Sequence, residues 1–261
     1  MLLFPLLKLL FGTFFLLIEG FAFLHWISIF KRLILDLSKN PLELYHVSCV
    51  KKIINCITFS TTVMLSSCVS DIDRETLIYD NNFETVDLTK IEGGIVTSYL
   101  GQNILGTYNN GGFKLTLEGL GTHDYVQIQA LLYVHDSWDG NAESPDGTDY
   151  WAVMVDYSEA DVFKTSFSNS SCSSIYCLMQ SYPERYPFLT FPRTGVSAVD
   201  LPAFCKSDGT TSAYEIELIF PHRKEKVEIV FWDELNQPNA SDAQCDESWS
   251  LNNIQVKLLS T

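Results

Sequence analysis

Four aspartates in the middle of the chain could together bind a cation. Asp136 and Asp139 flank a turn at the end of a predicted strand, and Asp146 and Asp149 follow in the next loop. Calcium takes six to eight oxygen ligands from flexible loops of this kind. The spacing therefore predicts a structural calcium site, although it is not that of an EF-hand. The alternative is that Asp136 and Asp139 cap turns while Trp138 packs on the domain rim.

Aromatic residues near these aspartates predict a surface that binds a glycan. Trp138 lies in the predicted loop and Tyr150 follows it. Trp232 belongs to a predicted strand in which Val227, Ile229 and Phe231 face the core. Its position has the opposite parity, so its side chain is expected to point outwards. Sugar rings stack on such exposed aromatic faces, whereas most aromatic side chains of a domain belong to its core. We therefore predict Trp138, Tyr150 and Trp232 as ligand-binding residues.

Sequence signatures of catalysis are missing from the chain. It contains no GxSxG, no HExxH and no phosphate-binding glycine loop. A glycoside hydrolase needs only two carboxylates at a suitable separation, and sequence does not give that separation. We therefore expect a binding protein rather than an enzyme, with a carboxylate-dependent glycan hydrolase as an alternative.

The elements that would position these residues are β-strands. Phe113, Leu115 and Leu117 alternate with polar residues, and the same period of two recurs as far as Leu258. The segment 130–134 is apolar on both faces, which predicts a central strand. Turn clusters rich in Gly and Asn separate the runs. The pattern predicts an all-β fold, a two-sheet antiparallel β-sandwich of jelly-roll type over residues 79–261, preceded by an apolar N-terminal leader.

Four cysteines fall inside the predicted sandwich, namely Cys172, Cys177, Cys205 and Cys245. An even number of cysteines in an exported domain predicts two disulfides, for which three pairings exist. The segment 168–202 is a long Ser- and Pro-rich loop that contains two of them. A loop of this length in a compact domain is usually functional or held in place, and a disulfide is the expected constraint.

The N-terminal part of the chain predicts export and a lipid anchor. Residues 50–67 have the order of a signal peptide: two lysines, an apolar run and then small residues. Leu65-Ser66-Ser67-Cys68 resembles the bacterial lipobox, which implies that Cys68 is lipidated and that 68–78 form an acidic tether. The apolar segment 1–49 is either mistranslated upstream sequence or a transmembrane helix.

The charge of the predicted mature chain excludes one class of partner. Residues 1–67 contain six of the 17 basic and three of the 32 acidic residues, which leaves a net charge of −18 on the remainder. Nucleic-acid affinity depends on Lys and Arg side chains that displace counterions from phosphates. We therefore expect no DNA or RNA partner.

Short motifs along the sandwich resemble extracellular jelly-roll modules of the galactose-binding-like type, which include carbohydrate-binding modules. The motifs are Asn82-Phe83-Glu84, Asp136-Ser137-Trp138-Asp139-Gly140 and Asp246-Glu247-Ser248-Trp249-Ser250-Leu251-Asn252. In those modules a structural calcium commonly bridges the first and last strands. The resemblance implies Glu84, with Asp246 or Glu247, as ligands. Ser250 and Asn252 depart from the usual Gly and Asp and weaken that implication.

The sequence thus predicts a membrane-anchored extracytoplasmic module whose ligand is a glycan. The alternative is a structural or adhesion domain that calcium stiffens and that binds no small ligand but supports contacts with a surface protein. The predicted location is the cell envelope.

Overall fold

The computed structural model describes residues 72–142, 147–205, 209–235 and 240–261. The described residues belong to one compact unit. The predictions for 1–49, for the signal peptide 50–67, for lipidated Cys68 and for Asp146 concern residues outside the described ones. Within the described residues, no helix combines the length and the apolar character that a bilayer span requires.

Almost all regular structure is β-strand, as predicted. The strands are β1 (Arg74–Asn81), β2 (Ile91–Glu92), β3 (Val96–Tyr99), β4 (Gln102–Tyr108), β5 (Gly112–Glu118), β6 (Tyr125–Asp136), β7 (Tyr150–Val155), β8 (Val162–Ser166), β9 (Ala198–Pro202), β10 (Thr210–Pro221), β11 (Lys226–Glu234) and β12 (Glu247–Ser260). A short helix α1 (Ala243–Asp246) precedes β12, and a single 3₁₀ turn (Glu159–Asp161) precedes β8.

The strands form two antiparallel sheets that pack face to face. The first sheet has the order β3-β4-β12-β6-β10-β9, with β1 also paired to β12, and the second has the order β2-β5-β11-β7-β8. The eight strands β4 to β8 and β10 to β12 thus divide into β4-β12-β6-β10 and β5-β11-β7-β8. This is the strand order of a jelly roll, and the predicted sandwich is confirmed.

Period-two burial places the core between the sheets. In β11, the side chains of Val227, Ile229 and Phe231 are inaccessible to solvent. Trp232 lies between the buried residues Phe231 and Asp233 and is partly exposed. The predicted central strand is confirmed, because β6 pairs with β12 on one side and β10 on the other. Buried aromatic rings fill the middle of the core. Apolar area removed from water contributes about 25 cal/mol per Å², so these strands are held mainly by their inward faces.

The boundary predicted between tether and sandwich is wrong by a few residues. We expected 68–78 to be a tether, but β1 begins at Arg74 and pairs with the end of β12, with Arg74 opposite Ser260. The first strand has exposed side chains on both faces at its start, so its period-two signal is weak. Backbone pairing rather than side-chain burial makes this segment part of the sheet.

Both predicted disulfides are present. Cys172 pairs with Cys177 inside the long loop between β8 and β9, and Cys205 pairs with Cys245 across 40 residues. The second bridge joins the loop between β9 and β10 to α1. The first bridge closes only a short turn, so the long loop depends on other contacts for its position.

A second apolar cluster covers part of the outer face of the first sheet. It consists of Tyr99, Ile104, Tyr133 and Ala213, and the side chains of β9 and Phe204 pack on it. The Tyr99 hydroxyl donates a hydrogen bond of 2.5 Å to the Pro202 carbonyl. This end of the first sheet is therefore closed to ligands.

Candidate functional site

Four of the seven predicted carboxylates lie in two pairs near one end of the sandwich. Asp136 and Glu247 are opposite each other in the β6–β12 ladder, and both are buried. Asp149 accepts a 2.7 Å hydrogen bond through Oδ2 from the backbone N–H of Asp139. The Asp246 carbonyl accepts a hydrogen bond from the backbone of the residue after Asp136. Asp149 thus caps the turn at Asp139, whereas the alternative to calcium assigned turn capping to the side chains of Asp136 and Asp139 themselves.

Glu84 lies away from Asp246 and Glu247. Its carbonyl is near the side chain of Asn103 at the start of β4, and Asn81, three residues earlier, is opposite Ile254. Ile254 lies seven residues from Glu247 along β12, about 23 Å at 3.3 Å per residue. β1 pairs with the second half of β12, and the calcium bridge that the resemblance implies stays a prediction.

No three His, Cys, Asp or Glu side chains gather into a metal site within the residues that the structure describes. The calcium prediction based on Asp136, Asp139, Asp146 and Asp149 includes one residue outside that range and stays a prediction.

Trp138 is not an exposed ligand residue, contrary to the prediction. Its side chain is fully buried, and its Nε1 donates a 3.0 Å hydrogen bond to the Ser248 carbonyl. Its ring meets Phe167 edge-on with the centroids 6.1 Å apart. The chain turns at Asp136, whose φ of 63° is in the left-handed region, and the turn carries Trp138 back into the core. A sugar has no access to this ring.

Trp232 lies on the outer face of the second sheet, where strand parity placed it. Its neighbours across the ladder are Gly112 in β5 and Ala152 in β7. Both neighbours are small, so neither covers the indole ring. A side chain at position 112 is prevented by the backbone, because a Cβ there would overlap the carbonyl oxygen of Phe231. The local backbone geometry thus keeps one flank of Trp232 open.

Tyr150 lies diagonally beside Trp232, because Tyr150 is opposite Glu234 in the same ladder. The ring of Tyr186 meets it edge-on with the centroids 4.8 Å apart. Lys164 Nζ lies 3.8 Å from the centre of the Tyr150 ring and 2.7 Å from a carboxylate oxygen of Glu234. Burial raises the pKa of Tyr150, so its hydroxyl stays protonated and can donate a hydrogen bond.

We call Trp232, Tyr150 and Tyr186, with Lys164 and Glu234 beside them, the aromatic face. It combines partly exposed rings with donors and acceptors at their edges, which is the chemistry that recognises the apolar face and the hydroxyls of a sugar. Sequence reasoning found Trp232 and Tyr150 but missed the other three. Strand parity in β8 would have placed Lys164 outwards, whereas no sequence signal indicated that Tyr186 of the long loop approaches β7.

A second cluster of polar side chains surrounds His135, but it is buried and closed to solvent. Its Nδ1 lies 2.9 Å from the Thr211 hydroxyl and its Nε2 lies 2.7 Å from the Ser250 hydroxyl. The rings of Tyr99 and Phe204 pack against the imidazole. Burial lowers the pKa of His135 to about 3, so the imidazole is neutral at physiological pH. The side chain is inaccessible to solvent, so this Ser–His contact is structural.

Comparisons with known proteins give similarities of fold and no family. No protein-family profile matches the chain, and no curated protein matches it. Among solved structures it is similar to a family GH115 4-O-methyl-α-glucuronidase with specificity for decorated arabinogalactans, with 10% identity over 70% of this chain and 18% of that one and a TM-score of 0.35.

Two further structures show the same type of resemblance. The mosquito-larvicidal toxin Cry4Aa of Bacillus thuringiensis has 10% identity over 64% of this chain and 21% of that one, with a TM-score of 0.29. A carbohydrate-binding module specific for non-crystalline cellulose has 12% identity over 64% of this chain and 78% of that one, with a TM-score of 0.25. The chain spans about a fifth of the first two proteins. At these identities and scores, the comparisons are similarities of an all-β architecture.

Proposed function

We propose that this protein is a lipid-anchored, extracytoplasmic module that binds a glycan on the aromatic face. The observation that carries the proposal is the row of partly exposed rings of Trp232, Tyr150 and Tyr186 on the outer face of the second sheet, with small residues beside the indole. Lys164 and Glu234 supply a donor and an acceptor at the ring edges. The rings are held by the sheet, so little conformational entropy is lost when a sugar stacks on them.

Binding on the aromatic face is tested with Trp232→Ala in a glycan array. We expect at least about a tenfold loss of affinity, since an aromatic contact of about 1.5 kcal/mol corresponds to that factor. The matched control is Tyr125→Ala, which removes a partly exposed aromatic ring from the outer face of the other sheet. Full-length protein in detergent is used for all variants, with and without a chelator, which also tests the calcium prediction. Equal loss in both variants would exclude a site on the aromatic face.

The location outside the cytosol is supported by the two disulfides, which persist in oxidising compartments. The anchor is a proposal from the lipobox-like segment before Cys68. A single acyl chain binds membranes only marginally, whereas two chains anchor stably. A diacylated Cys68 would therefore suffice to hold the module at a membrane.

The anchor predicts incorporation of labelled palmitate at Cys68 and fractionation with membranes. Cys68→Ser is expected to lose the label completely, while Cys172→Ser, which removes a disulfide cysteine, keeps it. Mass spectrometry of the N-terminus provides an independent readout. A native N-terminus upstream of Cys68, with no lipid on that cysteine, would overturn this part of the proposal.

A further inference from the structure

The long loop between β8 and β9 continues the second sheet past its edge. The backbone N–H of Tyr182 donates to the carbonyl of Ser166 (3.1 Å), and that of Tyr186 donates to the carbonyl of Lys164 (2.8 Å). Both acceptors belong to β8. Residues 182–186 therefore lie next to β8, and Phe188 follows Tyr186 of the aromatic face by two residues.

Side chains hold the next part of this loop in place. The carbonyl of Phe188 accepts a 2.9 Å hydrogen bond from Asn141 Nδ2 and a 2.8 Å hydrogen bond from the Ser181 hydroxyl. The hydroxyl of Thr190 donates a 2.7 Å hydrogen bond to the Tyr182 carbonyl, and Thr190 also pairs with Gln180 in a β-bridge. The backbone of 186–190 is thus fixed at several points.

This fixed segment presents apolar side chains to solvent. Phe188 is 55% exposed, Leu189 63% and Phe191 70%. Large apolar side chains that cluster on a surface commonly mark a binding site. They continue from Tyr186, which already contacts Tyr150 of the aromatic face.

The charges on the second sheet favour an uncharged ligand. Lys164 lies 2.7 Å from a carboxylate oxygen of Glu234, and Lys114 lies 2.6 Å from one of Glu92. Each of these two cations on the outer face is already neutralised by a carboxylate. The net charge of −18 on the predicted mature chain repels polyanions further.

We propose that the site takes an extended, uncharged polysaccharide chain that runs across the strands from Trp232, past Tyr150 and Tyr186, to Phe188 and Phe191. This inference depends on the proposed function and names its ligand class. Neighbouring strands lie about 4.8 Å apart, so the distance across β11, β7, β8 and residues 182–186 is about 14 Å. A surface of that length contacts several sugar units in a row, whereas a terminal sugar would use only one end.

The test is a series of uncharged oligosaccharides of increasing length, from disaccharide to hexasaccharide, derived from cellulose, xylan, mannan and starch. Fragments of polygalacturonate and alginate are the anionic comparison. The variants of the full-length protein are Phe188→Ala with Phe191→Ala, and a control pair, Ile175→Ala with Tyr176→Ala. The control side chains are 94% and 59% exposed in the same loop, but they lie outside the proposed track.

We expect affinity for one uncharged series to rise at least tenfold from disaccharide to hexasaccharide. The Phe188 and Phe191 variant should lose that rise and keep its disaccharide affinity, while the control pair binds like the wild type. Affinity independent of length, a wild-type-like Phe188 and Phe191 variant, or a preference for the anionic fragments would overturn the inference. If one of these results is obtained but Trp232→Ala still abolishes glycan binding, the proposed glycan-binding function stands and only the extended polysaccharide ligand is excluded. Absence of binding to every glycan would overturn both.

Discussion

Trp138→Ala is expected to destabilise the protein by about 3–5 kcal/mol, the range for large-to-small substitutions of buried aromatic residues. The indole is fully buried and packs against Phe167. Its removal also leaves the Ser248 carbonyl without the indole N–H, and an unsatisfied buried acceptor costs about 1–3 kcal/mol. The loss is measured as the shift in the free energy of unfolding from urea titrations.

Two variants separate this structural role from a role in ligand binding. Trp138→Phe keeps an aromatic ring in the cavity but not the N–H donor, so it should lose less stability than the alanine variant. Trp232→Ala removes a partly exposed ring and should cost about 1 kcal/mol or less. If Trp138→Ala unfolds like the wild type but no longer binds a glycan, Trp138 is the exposed ligand residue that its sequence context predicts.

The fold follows from sequence because local pattern determines it. Alternation of apolar residues in β5, β7, β11 and β12 gives the inward face of each strand, and an apolar run in β6 indicates a strand covered on both sides. The same parity places Trp232 outside. These predictions rest on a geometric period of two, which holds wherever one face of a sheet is buried.

The predictions that differ from the structure involve chain direction and register, which no local pattern specifies. Trp138 follows a strand by two residues, and the turn at Asp136 brings its indole N–H to the Ser248 carbonyl, 110 residues away. The end of β1 is opposite Ile254 rather than Glu247, a register that no local pattern gives. Tyr186 meets Tyr150 only because backbone hydrogen bonds place a non-periodic loop beside β8. Each of these contacts joins residues distant in sequence.

His135 should make the protein sensitive to acid. Its pKa is lowered to about 3 in the folded protein by burial, compared with an ordinary value of 6.5. Above pH 6.5 the side chain is neutral in both states and contributes no pH dependence. Between pH 6.5 and about 3 the unfolded chain binds a proton that the folded chain does not, so stability falls with decreasing pH. The slope is about 1.4 kcal/mol per pH unit, or about 3 kcal/mol lost between pH 7 and pH 4.

The comparison with His135→Gln isolates this contribution from other titrating groups. Glutamine can donate and accept hydrogen bonds towards the Thr211 and Ser250 hydroxyls, but it does not titrate. Free energies of unfolding are measured by urea titration at intervals from pH 7 to pH 4 for both proteins. All other titratable groups are the same in both proteins, so the difference between the two curves reports His135 alone. The wild type should lose about 3 kcal/mol more than the variant over this range. Parallel curves would mean that the folded protein protonates His135 as readily as the unfolded chain does, and that its pocket opens to water.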